Sequence, residues 1–111
     1  MWCGPCQYAA MDVESVTEDY PEIKYLTVLI ENEYGKPPSQ EDLQRWASVF
    51  EINQPVMSGD RSMISENPAL GWPLTSWPTF YYIDRKMTIK HSHGGYSYQS
   101  ISQNIENLIG S

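Results

Sequence analysis

The sequence predicts a single α/β layered domain, and three observations carry that expectation. Segments of helical and strand periodicity follow in the order helix, strand, helix, strand, strand, helix. The 111 residues suffice for one hydrophobic core and no more. Apolar residues make up 41% of the chain and are spread along it rather than gathered in one run.

Each element has its own signal. The first helix is expected to start within Cys3-Gly4-Pro5-Cys6 and run to about Tyr20, with Ala9, Val13, Val16 and Tyr20 on one face. Pro21 stops it. Ile23 to Ile30 reads as an interior strand, apolar on both faces. Gly35 and Pro37-Pro38 mark a loop. Ser39 followed by Asp42 is a capping signal for a helix over Glu41 to Phe50, which buries Leu43, Ala47 and Phe50, with Trp46 a further candidate. Asn53 to Thr75 is irregular, with room for a short strand at Pro55 to Met57. Thr79 to Ile83 is an aromatic-rich strand. After a turn at Asp84 to Lys86, Met87 to His93 alternates as an edge strand. A last helix covers Tyr98 to Ile109, with Ile101, Ile105, Leu108 and Ile109 as its apolar stripe and Gly110 as its cap.

Charge and length exclude several functions. A net charge of −7 argues against nucleic-acid binding, which needs clustered Lys and Arg. No segment approaches the ~20 apolar residues of a membrane span. No basic region followed by an apolar run opens the chain, so no signal peptide is expected. Asp12, Glu14, Glu18 and Asp19 read as a solvated helix face, and Glu31 and Glu33 as a solvated loop rather than a cation site.

The chemistry lies in Trp2-Cys3-Gly4-Pro5-Cys6. A first cysteine at a helix N-terminus faces unpaired N–H groups and the positive end of the helix dipole. Both favour thiolate over thiol. The second cysteine, one turn on, can resolve a mixed disulfide. Cys3 is therefore expected to be the exposed nucleophile and Cys6 the buried resolving thiol. Pro5 suits the first helical turn, Gly4 admits a partner chain closely, and Trp2 offers an apolar contact surface. A bare Cys-x-x-Cys also serves as half of a zinc site, and His91 and His93, on one face of a strand, are the available further ligands. The fuller five-residue string favours the redox reading, with no metal. Among Trp72, Trp77, Phe80, Tyr81 and Tyr82, the expectation is core packing for Phe80 and Tyr82, and either core or substrate contact for Trp77.

That string resembles the active-site motif of thioredoxins letter for letter. Trp77-Pro78-Thr79-Phe80 stands where thioredoxin-like proteins place a cis-proline opposite the disulfide. The resemblance implies that Pro78 is cis and that its loop, with Trp77, receives an extended substrate peptide by strand addition. The added helix at Glu41 to Phe50, and Phe80-Tyr81-Tyr82-Ile83-Asp84 before a turn and edge strand, are similar to TlpA- and ResA-like redoxins. The resemblance covers nearly the whole chain. It implies a three-layer fold over residues 1–111, with a mixed sheet flanked by helices.

It also implies a thiol–disulfide oxidoreductase acting on protein disulfides. The redox-active disulfide is its only cofactor, and a partner redoxin or reductase supplies electrons. The Gly-Pro dipeptide resembles that of reductants. The layout implies the bacterial cell envelope or periplasm, with the cytoplasm as alternative. Two other functions stay open: a redox-inactive thioredoxin-like binding module and a small zinc-binding domain.

Two departures stand out. Met11 occupies the place of a helix proline, which implies a straighter helix. The family also has a central strand before the tryptophan, usually bearing a buried acid that assists proton transfer, and here only Met1 precedes Trp2. The expectation is an N-terminally truncated fold, with Met1 internal to a longer protein, or a strand-swapped dimer in which a second copy fills the gap.

Overall fold

Two helices, rather than the single one expected, follow the cysteine motif in the computed structural model, which describes residues 3–74 and 76–110. They are α1 (Gly4–Met11) and α2 (Val13–Asp19). The helix is therefore interrupted and not straighter. At Asp12 the backbone tightens, and its N–H reaches the Ala9 carbonyl three residues back at 3.1 Å. The expected apolar face survives the break. Ala9, Val13 and Val16 are buried, with Ala10 beside them, and Tyr20 packs at the margin.

Strand β1 (Thr27–Leu29) is shorter than the predicted Ile23 to Ile30. Its length is set by its partner β2 (Val56–Ser58), paired parallel from Thr27 opposite Val56 to Leu29 opposite Ser58. Parallel strands need a crossover, and α3 (Gln40–Val49) provides it. Ser39 and Asp42 form the expected reciprocal capping box. Leu43 and Trp46 are buried, while Ala47 and Phe50 are half-buried against the same core, with the Trp46 and Phe50 rings 4.7 Å apart.

Asn32 explains why the preceding loop is ordered. Its side-chain oxygen accepts the N–H groups of Tyr34 and Lys36, and its amide donates to Asp42 at 3.2 Å. Asp42 is thereby held below the ordinary carboxylate range, first by the Ser39 N–H and then by the Asn32 amide, the Ser39 hydroxyl and Arg45. A lowered folded-state pKa contributes stability above the unfolded value, about 3.9, and loses it as pH falls through the folded value. Acid unfolding followed by circular dichroism is expected to show a shallower pH dependence below about pH 4 for Asp42→Ala than for the parent. Ser39→Ala is expected to cost about 1 kcal/mol in urea unfolding at neutral pH.

The second sheet is the antiparallel hairpin of β3 (Thr79–Ile83) and β4 (Ile89–Gly94). Strand β4 starts later than predicted. Met87 sits in the turn at φ 63°, closing an N–H bond to the Asp84 carbonyl at 3.0 Å. The Asp84 carboxylate accepts two further turn N–H groups, from Lys86 and Thr88. Helix α4 (Tyr98–Ile109) has the predicted bounds. Ile101 and Ile105 are buried and Leu108 packs beside them, whereas Ile109 is exposed. Gly110 caps the helix in a right-handed conformation, so its glycine freedom is not used.

The result is an α/β protein with helices and two small two-stranded sheets. Among the described residues no strand pairs with both sheets. Two apolar clusters hold the parts together instead. One joins Ala10 and Val13 to Trp46 and Ile52; the other joins Val16 to Tyr82, Ile101 and Ile105. The Tyr25 ring packs against both.

Candidate redox site

Cys3 is the N-cap of α1. Its backbone is extended (φ −91°, ψ 107°), and its Sγ turns back over the helix to accept the Cys6 N–H at 3.1 Å. Pro5 lies in the first turn, where a missing N–H is harmless, and no acidic side chain there offsets the helix dipole. Cys3 and Cys6 are joined as a disulfide with their Cα atoms 5.2 Å apart. The cap bond favours a thiolate on Cys3 once the disulfide is opened, because an N–H donor stabilises the charged form.

The exposures of the two cysteines reverse the expectation. Cys3 is only 8% exposed, while Cys6 is half-buried against the Ala10, Val13 and Trp46 cluster. The capping posture is the physical reason, since it folds the Cys3 sulfur onto the helix end. Gly4 and Pro5 are exposed beside it. A Cβ on Gly4 would meet nothing within 4 Å, so the space in front of it is open. Tyr8 and Met11 continue this exposed side of α1. Trp2 lies outside the described residues, as does Met1.

The Trp77–Pro78 peptide is cis, and both residues are half-buried. The Pro78 carbonyl accepts the Gly95 N–H at 2.8 Å. Beyond them Phe80 and Tyr82 pack in the core, and Trp72 meets Tyr81 edge-on with ring centres 4.8 Å apart. The Tyr81 hydroxyl donates to the Pro73 carbonyl.

His91 and His93 do share a strand face, with ring centres 6.1 Å apart, but their neighbours are the rings of Tyr82 and Phe80. His93 Nε2 is 2.8 Å from the Tyr82 hydroxyl. The two cysteine sulfurs are bonded to each other. Among the described residues, no three His, Cys, Asp or Glu side chains gather in a metal-binding arrangement.

The acidic residues are more engaged than a solvated face implies. Asp12 accepts the Tyr96 hydroxyl, Glu14 the Asn53 N–H at 2.6 Å, and Asp19 the Tyr98 hydroxyl. Burial, with Asp12 as a second cause, pushes the Tyr25 phenol up to about 12. Burial also raises Tyr82, with Tyr25 as a smaller cause. The hydrogen bond to Asp19 is the main reason Tyr98 rises to about 12. Glu31 pairs with Arg61 through both carboxylate oxygens, and Glu33 with Arg45, as ordinary surface ion pairs. A groove of about 320 Å³ adjoins the Glu31–Arg61 pair, and neither the cysteines nor the Trp77–Pro78 turn line it.

Asp12 and Tyr96 were not legible as partners. They lie 84 positions apart, and no local pattern pairs them. No protein-family model, no curated protein and no solved structure matches this chain.

Proposed function

We propose that this chain is a thiol–disulfide oxidoreductase of the thioredoxin-like, TlpA- and ResA-like kind, acting through Cys3 and Cys6. One observation carries the reading: the Cys3 sulfur sits at a helix N-terminus, receives the Cys6 N–H, and is within bonding reach of the Cys6 sulfur. That arrangement stabilises a thiolate and supplies its resolving partner in one turn of chain.

In the reducing direction the Cys3 thiolate attacks one sulfur of a substrate disulfide. The substrate S–S bond breaks, its electron pair leaves on the other substrate sulfur as a thiolate, and a Cys3–substrate disulfide forms. The Cys6 thiolate then attacks the Cys3 sulfur. The Cys3–Cys6 bond forms and the second substrate thiolate departs. Two electrons have passed to the substrate, and a dithiol of a partner redoxin or reductase returns them. Protein disulfides fit as substrates because exposed Gly4, Pro5 and Tyr8 flank the pair, and the cis Trp77–Pro78 turn stands where the family resemblance implies strand addition of the substrate. The layout that motivates this family reading also favours a bacterial envelope location.

The buried Cys3 favours a second reading, a redox-inactive binding module in which the disulfide is structural. Catalysed reduction of insulin disulfides by dithiothreitol separates the two. The oxidoreductase accelerates it over the dithiol alone; a folded chain that does not is the binding module.

A further inference from the structure

The engaged acidic face and the turn after β4 meet at a point that the redox chemistry does not itself use. Asp12 stands between α1 and α2, where an aspartate ordinarily caps its own following helix. Its carboxylate makes no such bond. It accepts the Tyr96 hydroxyl instead. The residue before, Gly95, gives its N–H to the Pro78 carbonyl at 2.8 Å, from a left-handed φ of 78° that glycine adopts without strain. Consecutive residues of one turn therefore bond to the proline turn, through Gly95, and to the residue that ends the cysteine helix, through Tyr96. The Tyr96 ring also packs against the cluster of Val16, Tyr82, Ile101 and Ile105. That packing anchors the hydroxyl's position.

We propose that Asp12 and Tyr96 form a latch that sets the position of the Cys3–Cys6 helix relative to the Pro78 turn, and that both are positioning residues for the docking of a protein disulfide. The inference rests on the oxidoreductase reading. Its mechanical basis is short. Helix α1 has eight residues, so the latch acts about 12 Å from the helix's other end, where Cys3 lies. Releasing it lets the helix tilt against the proline turn. The Cys6 N–H to Cys3 bond belongs to the first turn and moves with the helix. The local reactivity of the sulfur is preserved, while the relation between sulfur and turn is lost. A substrate that spans both notices; one that touches only the sulfur does not.

The test compares insulin with glutathione disulfide as substrates for the full chain and for Tyr96→Phe, Asp12→Ala and Asp12→Asn, below each variant's unfolding temperature. Tyr96→Phe keeps the packed ring and removes only the hydroxyl. Asp12→Asn keeps an acceptor oxygen for it. The latch predicts a KM for insulin raised roughly tenfold in Tyr96→Phe and Asp12→Ala, near the parent value in Asp12→Asn. Exchange with glutathione disulfide stays within about twofold in all three. Equal KM values across the variants overturn the latch and leave the oxidoreductase reading intact. Parallel losses on both substrates also overturn it, since they report damage to the sulfur site itself. A parent chain inactive on both substrates overturns the oxidoreductase reading and the latch together.

Discussion

Cys3→Ser is expected to lower catalysed insulin reduction by on the order of 10³-fold or more, to the rate of the added dithiol alone. Serine keeps a side chain that can cap α1, so the helix persists while the nucleophile is gone. Cys6→Ser is expected to lose turnover differently. Its Cys3 still attacks, but no thiolate in the chain resolves the product, so a Cys3–substrate disulfide accumulates. Non-reducing electrophoresis and intact mass read that adduct directly. The assignment of roles depends on which variant traps. Cys3 is the less exposed of the pair in the disulfide form. If Cys3→Ser forms the adduct and Cys6→Ser does not, the roles are exchanged and the half-buried Cys6 is the attacking sulfur.

Ile105→Ala is expected to cost about 2–5 kcal/mol. Two-stranded sheets are marginal by themselves, and this protein has two of them and no wider sheet among the described residues. Its stability must come from the helices packed on them. Ile105 is 3% exposed, in the cluster that joins α4 to Tyr82 of β3 and Val16 of α2. Set against a total of about 5–15 kcal/mol for a natural domain, the loss is a large fraction, with a fall in Tm of roughly 10 °C or more. Ile109→Ala, on the exposed end of the same helix, is expected to stay within about 0.5 kcal/mol. Urea midpoints of the two variants make the comparison. Equal shifts would mean that the cluster is not what holds the sheets.

Local patterns were legible in proportion to how local their causes are. The bounds of β3 and α4 follow from aromatic content and from the four-three step of Ile101, Ile105 and Leu108, both read within a dozen residues. The cap at Ser39 is a four-residue signal, and it formed as written. The cis bond before Pro78 and the placement of Cys3 at a helix start also agree with what the motif implies. What escaped depends on distant partners. The break at Asp12 accompanies a hydrogen bond to Tyr96 on the far side of the chain. Strand β1 shrank because β2 offers only Val56–Ser58 to pair with. The exposures of Cys3 and Cys6 follow from the capping posture and from Ala10, Val13 and Trp46, and cysteine spacing contains neither.

Cys3 acts only as an activated thiol, so its ionisation decides whether the site works. The measurement is the rate of alkylation of the reduced protein against pH, with Cys3→Ser and Cys6→Ser as controls to assign each phase. Cys3 is expected to titrate well below the ordinary cysteine value of ~8.5, because the Cys6 N–H at the helix N-terminus faces its sulfur, and Cys6 is expected to react more slowly. Two cysteines reacting alike with ordinary thiol pKa values would contradict it, and would leave the disulfide a structural clasp.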